Sequence, residues 1–284
     1  MAIWTPKLIK PPLGTPIYKG HPLARGLEAY WLMNEGSGNT VYDLSGNGNT
    51  GTFVGNTHFV PGIHGPALDF DGSGDYVSIP AAFSTVSGNV TTLVLWAAID
   101  AWDSSGFVIF GTNTGTAVYW QMDGPNDDVY VQNTAILDCG ISGFADGVSR
   151  QWALVSDGSA VHIYVDGILL GSAGAGTALS AGSKNFCLGD WIGGLGSAFE
   201  FNGQLDAALF YARGLSASEV ADLYPMPFAM FERPTPELWV SAGEEPPAGT
   251  GYVFTIIMSS LPVWLVVGLD IGMGHSVDVK RKAA

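Results

Sequence analysis

The sequence predicts an all-β protein, an antiparallel β-sandwich with an extended N-terminal arm and an apolar C-terminal tail. Three observations support this. Glycine is abundant, 39 of 284 residues, while charged residues make up only 13% and aromatic residues 12%. Hairpins need residues that tolerate positive φ, and helix-forming composition is scarce. Between residues 26 and 224, short apolar runs alternate with Gly/Asn/Asp/Ser clusters, the rhythm of strands and turns in a sandwich. Proline then punctuates both flanks, with Pro6, Pro11, Pro12, Pro16 and Pro22 ahead of this region and Pro225, Pro227, Pro234, Pro236, Pro246 and Pro247 behind it. The expected divisions are an arm over residues 1–25, a sandwich over 26–225, and a proline-rich linker with an apolar assembly segment over 226–284.

Taken in order, the arm is expected to run extended, because its prolines fix φ and restrict the residues before them. It holds no uninterrupted apolar stretch of the kind a secretory signal requires. Strands are predicted at Leu27–Met33, Ala67–Phe70, Tyr76–Ile79, Thr91–Ile99, Phe107–Gly111, Ala117–Met122, Asp128–Gln132, Gln151–Ser156, Ala160–Val165, Phe186–Leu188 and Gln204–Tyr211. Asp166-Gly167 lies between two apolar runs and predicts a type I′ hairpin turn. Ser216 with Glu219 predicts a capping box for a short helix that Pro225 ends. Beyond it, Phe228, Met230, Phe231, Leu238 and Trp239 are too apolar for a solvated linker and are expected to dock.

Tyr252 to Leu269 carries no charged residue before Asp270. Two readings of it stand. At about 1.5 Å per residue a helix of this length approaches the ~30 Å hydrocarbon core of a membrane. The β-branched content, and the alternation at Thr255/Ile257 and from Ser276 to Val279, instead suit strands paired with partner subunits, the preferred reading.

The formal net charge of −15 argues against nucleic-acid partners, which are held by cationic side chains, and suits solubility. Cys139 and Cys187 have neither the number nor the spacing of a metal site; they read as small buried apolar residues, with a disulfide as the alternative. The histidines His21, His58, His64, His162 and His275 are scattered, and His162 reads as an exposed strand-face residue. Gly46-Asn47-Gly48 and Gly193-Gly194-Leu195-Gly196 lack the Lys-Ser/Thr of a phosphate loop and read as turns. No pair of glutamates has the same-strand spacing that glycan hydrolysis on a sandwich uses, so catalysis is not expected. Trp102, Trp120, Trp191 and Tyr119 fall in or beside expected loops, where they would either stack on sugar faces or join the core.

Several segments carry a family resemblance. Gly26–Gly38 with Asp43–Asn49, Pro61–Gly72 with Asp75-Tyr76-Val77, Gln151–Gly158, and Phe201–Asp206 running on to Val220 together resemble the laminin-G-like, concanavalin A-like jelly-roll family. Such sandwiches often hold a structural Ca²⁺, and the resemblance implies Asp206 as its side-chain ligand with help near Asp71 and Asp43; a plain hydrogen bond from Asp206 to a loop is the alternative. The flanks, Gly20–Leu27 and Leu223–Phe231, resemble jelly-roll proteins encoded among phage structural genes. The resemblance therefore implies a virion surface protein assembled in the host cytoplasm. Its partners would be other capsid or tail proteins, copies of itself and, in an adhesin alternative, host surface glycans.

Overall fold

A computed structural model of the chain describes residues 8–80, 90–102, 107–112, 119–123, 128–131, 134–138, 140–174, 186–190, 200–231, 238–241, 253–258, 265–270 and 276–281. The chain divides into two units, Met1–Glu232 and Arg233–Ala284. The first unit is a two-layer sandwich. One sheet is formed by β1 (Leu27–Trp31), β4 (His58–Pro61), β5 (Pro66–Asp71), β7 (Val90–Ile99), β12 (Arg150–Asp157), β13 (Ala160–Val165), β14 (Ile168–Gly174) and β16 (Asn202–Tyr211). The other is formed by β2 (Thr40–Val41), β3 (Gly51–Val54), β6 (Tyr76–Ile79), β8 (Phe107–Thr112), β9 (Tyr119–Asp123), β10 (Asp128–Val131), β11 (Thr134–Asp138) and β15 (Phe186–Leu188).

All strand pairs are antiparallel, and the first sheet runs β14-β13-β12-β7-β16-β5-β4, with β1 also on β16. The late strand β16 is central: one edge pairs with β7 and the other with β5 and β1. The inner core lies between the layers. Trp31, Phe70, Leu93, Leu95, Trp152 and Phe210 face it from the first sheet, and Val77, Ile79, Phe186 and Leu188 from the second.

The outer face of the first sheet is apolar as well. Tyr30, Val94, Trp96, Val155, Leu209 and Tyr211 point away from the inner core and are still buried. Their cover comes from both flanks of the sandwich: Ile17 and Leu23 from the arm, Val220 and Leu223 from the helix α1 (Ala217–Leu223), and Phe228 and Met230 from the tail. Backbone and side-chain bonds fasten this cover, with Tyr18 N donating to Met230 O at 2.7 Å and the Tyr30 hydroxyl to Pro227 O at 2.7 Å. An antiparallel sheet usually leaves one face to water and alternates accordingly. Here β7 is buried from Thr91 to Ile99 without alternation, the signature of a strand covered on both sides.

The expected divisions were an arm over 1–25 and a linker with an assembly segment over 226–284; within them Ile17, Leu23, Phe228 and Met230 are buried against the second apolar face of the first sheet. Phe228 and Met230 do dock, as expected. Asp166 and Gly167 have φ of 51° and 77°, the paired positive values of a type I′ turn. Ser216 and Glu219 form the capping box. Strands β2, β3, β4 and β11 add to those read from the sequence, and β14 is the second arm of the predicted hairpin. Cys187 is fully buried in β15, while Cys139 lies outside the described residues.

The second unit is a meander of β17 (Leu238–Ser241), β18 (Val253–Met258), β19 (Leu265–Asp270) and β20 (Ser276–Arg281), each antiparallel to the next. The described parts of the uncharged run, within β18 and β19, are extended and pair with each other and with β17 and β20 of the same chain. Among the described residues no helix is long and apolar enough to cross a membrane.

The outer cover should be a measurable part of stability. Met230→Ala, at a fully buried position, is expected to cost about 2–5 kcal/mol in chemical denaturation. Removal of residues 1–25 should expose the Tyr30/Trp96/Leu209 face and raise binding of an apolar dye; a truncated protein with unchanged stability and no dye binding would contradict the two-faced sheet.

Candidate functional site

The site is built around Asp206, placed on β16 where this strand passes beneath the turn joining β4 to β5. Its carboxylate is engaged from three directions. Lys10 of the arm lies with Nζ 3.7 Å from Asp206 Oδ1, and both side chains are only 3% exposed. The Ser149 hydroxyl donates to Asp206 Oδ2 at 3.3 Å, and the His64 backbone N–H lies 3.4 Å from Oδ1. Lys10 Nζ also donates to Pro66 O, and the Lys10 backbone N–H donates to His64 O at 3.0 Å. A side chain at Gly62 would collide with Asp206 Oδ1 and Ala67, so the turn comes this close only because that residue is glycine.

Burial dominates the electrostatics here. Desolvation lowers Lys10 from its ordinary 10.5 to about 8, against the opposing pull of Asp206 and Glu35. Burial likewise lowers His64, whose ring stands edge-on to Phe228 with centroids 5.5 Å apart. His64 Nδ1 and Glu35 Oε2 are buried without a hydrogen-bond partner among the described residues. Beside this cluster runs an open groove of about 410 Å³ lined by Gly36, Phe59, Val60, Pro61, Gly62, Gly65 and Pro66.

Calcium was expected at this place, and the residues do not fit it. A hard dication needs six to eight oxygens with lone pairs directed at it. Asp206 instead faces an ammonium supplied by the chain itself. Asp43 has both oxygens filled, Oδ1 by the N–H groups of Tyr30 and Ser45 at 3.0 and 2.8 Å, and Oδ2 by the Ser45 hydroxyl and the Asn49 N–H at 2.8 and 2.9 Å. Asp71 accepts from Ser73 N at 2.9 Å, and its own N–H donates to the buried Asp75. Among the described residues no three His, Cys, Asp or Glu side chains converge as a metal group would. No step is derived through calcium.

Of the aromatic candidates, Trp102 alone has a side chain among the described residues. Trp102 is half-buried against the inner core, with its Nε1–H donated to Ser142 O at 2.9 Å, so its indole edge serves the fold. Trp120 and Tyr119 fall in β9 with side chains outside the described residues, and Trp191 is outside them altogether. His162 sits half-buried across from Ser172, 2.7 Å from its hydroxyl, and 3.3 Å from Asp157. Sequence reasoning passed over Lys10, because a lysine among prolines looks solvated. The one available signal was the quoted Pro61–Gly72 motif, whose Gly62 and Gly65 mark a turn held close to something.

The fold agrees with what the chain resembles. The family model for the concanavalin A-like lectin/glucanases superfamily matches residues 71–221, more than half of the sequence. The chain belongs to that superfamily. Among solved structures, domain 4 of AbnA, a GH43 extracellular arabinanase from Geobacillus stearothermophilus in complex with arabinotriose, is similar at 19% identity and TM-score 0.55, over 70% of this chain and 98% of that one. The Trypanosoma rangeli sialidase in complex with sialic acid matches at 17% identity and TM-score 0.54, over 72% of this chain but 33% of that one. The binding domain of Paraclostridial Mosquitocidal Protein 1 matches at 14% identity and TM-score 0.53, over 92% and 74%. At such identities the likeness is one of fold. No curated protein matches the sequence.

Two outcomes follow from the buried pair. Asp206→Asn removes the counter-charge of a buried ammonium and is expected to cost about 3–5 kcal/mol near neutral pH, read by denaturation. The lowered value of Lys10 also sets a pH dependence. Between about 8 and 10.5 the unfolded chain keeps the Lys10 proton and the folded chain has lost it. The unfolded state then binds more protons, so stability contributed by this group rises with pH across that window. Wild-type protein should gain stability relative to Lys10→Met from pH 8 to 10.5, and parallel curves would show that Lys10 does not titrate as a buried group.

Proposed function

We propose that the protein is a non-enzymatic structural component displayed on the surface of a phage virion, of the capsid-decoration or fibre type, with the sandwich as its displayed body and residues 233–284 as its attachment unit. The observation that carries this reading is the division at Glu232/Arg233. Ahead of it lies a sandwich whose cores are covered by its own chain. Behind it lie 52 residues, with four strands among the described ones, that include the uncharged run from Tyr252 to Leu269. A unit of this size rarely buries enough apolar surface to be stable alone and is commonly completed by association. The first unit's flank residues 8–25 are part of its fold, which leaves the C-terminal unit as the segment for attachment.

Support for a non-catalytic role comes from how the carboxylates are used. Asp206 pairs with Lys10, Asp43 ties a loop, and Glu219 joins Arg213 at 2.7 Å while closing the capping box. Glu35 Oε1 accepts from Tyr42 N at 2.8 Å. Each of these groups holds the fold, whereas a glycan hydrolase keeps two carboxyls open to the scissile bond.

The test is incorporation into particles. Chain lacking residues 233–284 is expected to stay folded by circular dichroism yet be missing from purified virions, and Val266→Asp on β19 should produce the same loss by placing a charge in an apolar strand. Truncated protein present at normal occupancy would overturn the attachment role. Release of reducing ends from polysaccharides by the intact chain would overturn the non-catalytic one.

A further inference from the structure

A second cavity lies away from Asp206, where the arm meets helix α1. It encloses about 430 Å³ and is lined by Lys19, Gly20, His21, Pro22, Arg25 and Glu219. That volume lies within the range of small-molecule sites. The family match begins at residue 71, so most of this lining belongs to a part of the chain that the superfamily model does not cover.

The charges of the cavity are unequal in their freedom. Glu219 is spoken for: Arg213 grips it through both guanidinium nitrogens, at 2.8 and 2.7 Å, and holds its carboxyl down at about 2. Lys19 donates one proton to Ser45 O, leaving two of the three donors of an ammonium. Arg25 is exposed, and its guanidinium has no hydrogen-bond or ion-pair partner among the described residues; only its backbone is used, its carbonyl accepting from Arg213 Nε at 2.7 Å. His21 Nδ1 accepts from Leu23 N at 3.2 Å, so Nδ1 is bare and the neutral ring carries its proton on Nε2, a further donor. Burial lowers the histidine's pKa and favours that neutral form. With the Arg213–Glu219 pair neutral, the cavity keeps two positive charges in a chain of formal net charge −15.

An aromatic ring stands at the same place. Tyr18 is 36% exposed, and its ring lies over Gly20 so closely that a Cβ there would sit 2.6 Å from the hydroxyl oxygen and 2.7 Å from Cζ. Tyr18 itself is not part of the lining but packs on Gly20, which is, so an aromatic ring adjoins a cavity whose cationic and N–H donors suit a carboxylate. The overall negative charge selects among anions: it repels a polyanion at long range, whereas a single carboxylate is captured by contacts inside the cavity.

We propose that this cavity binds a small acidic saccharide of the uronate class, its carboxylate on the Arg25 guanidinium and Lys19 ammonium and its ring beside Tyr18. The inference does not depend on the virion reading, because it concerns the isolated chain in solution.

The probe is glucuronate, titrated calorimetrically into the full chain beside glucose, acetate and inorganic phosphate. Saturable binding of glucuronate that exceeds that of all three is expected. Arg25→Gln should weaken it by roughly tenfold or more, since a charged hydrogen-bond partner is lost, and Tyr18→Ala should weaken it with the fold unchanged by circular dichroism. Because the exposed Arg25 side chain makes no hydrogen bond or ion pair among the described residues, its exchange is not expected to disturb folding. Equal binding of glucose would remove the charge from the argument, and equal binding of acetate or phosphate would remove the sugar. Unaltered affinity in Arg25→Gln, or no binding of glucuronate, would overturn the site.

Discussion

One constraint organises the first unit: its larger sheet is apolar on both faces. A lone antiparallel layer with that pattern would present Tyr30, Trp96, Leu209 and Tyr211 to water, an area whose burial is worth many kcal/mol at about 25 cal/mol per Å². The opposite layer takes one face only. The remaining face recruits whatever chain is left on either flank, and this is why the arm, helix α1 and the tail all converge on it. Short proline-bounded segments suit the task, since they lie across strands without offering a competing ladder.

The same constraint explains the buried ion pair. An arm drawn across the sheet passes the turn between β4 and β5, and Lys10 reaches under it to Asp206 and Pro66 O. A carboxylate, a carbonyl and a loop closing over them form a cradle for a cation, and here the cation is covalently part of the chain. Such a pair is weak evidence for net stability, because desolvation offsets much of the attraction. Its stronger effect is on placement: an uncompensated charge at either position is costly, so the arm has a single register on the body.

Most of the sandwich was legible because its strands are long, apolar and separated by turn residues. The Asp166-Gly167 turn and the Ser216/Glu219 capping box were legible because their chemistry is local. The strands that escaped notice are short or polar: Thr40–Val41 is a pair of residues, and His58–Pro61 has no buried member. They are strands by virtue of their neighbours. Lys10, His64 and Ser149 escaped for a related reason, as nothing near them in sequence announces Asp206. The unbroken apolar run Leu93–Ile99 did contain the information that both faces of the sheet are covered, and Phe228 and Met230 showed that something would dock; joining the two required the topology. Calcium was implied by resemblance alone, and the sequence could not show that the oxygens of Asp206 and Asp43 are engaged by backbone N–H groups, serine hydroxyls and an ammonium.

The position of β16 has a consequence for how the chain is made. Its partners β1, β5 and β7 are all synthesised well before it, yet none of them is joined to another of the three by hydrogen bonds until it arrives. On the ribosome the strands that precede residue 202 must therefore wait as an incomplete layer with open edges. Closure is a late event dominated by sequence-distant pairings, the kind that proceeds slowly and leaves sticky intermediates. The strand, the helix and the docked segment then follow one another within residues 202–231, so the central ladder and its outer cover become available almost together.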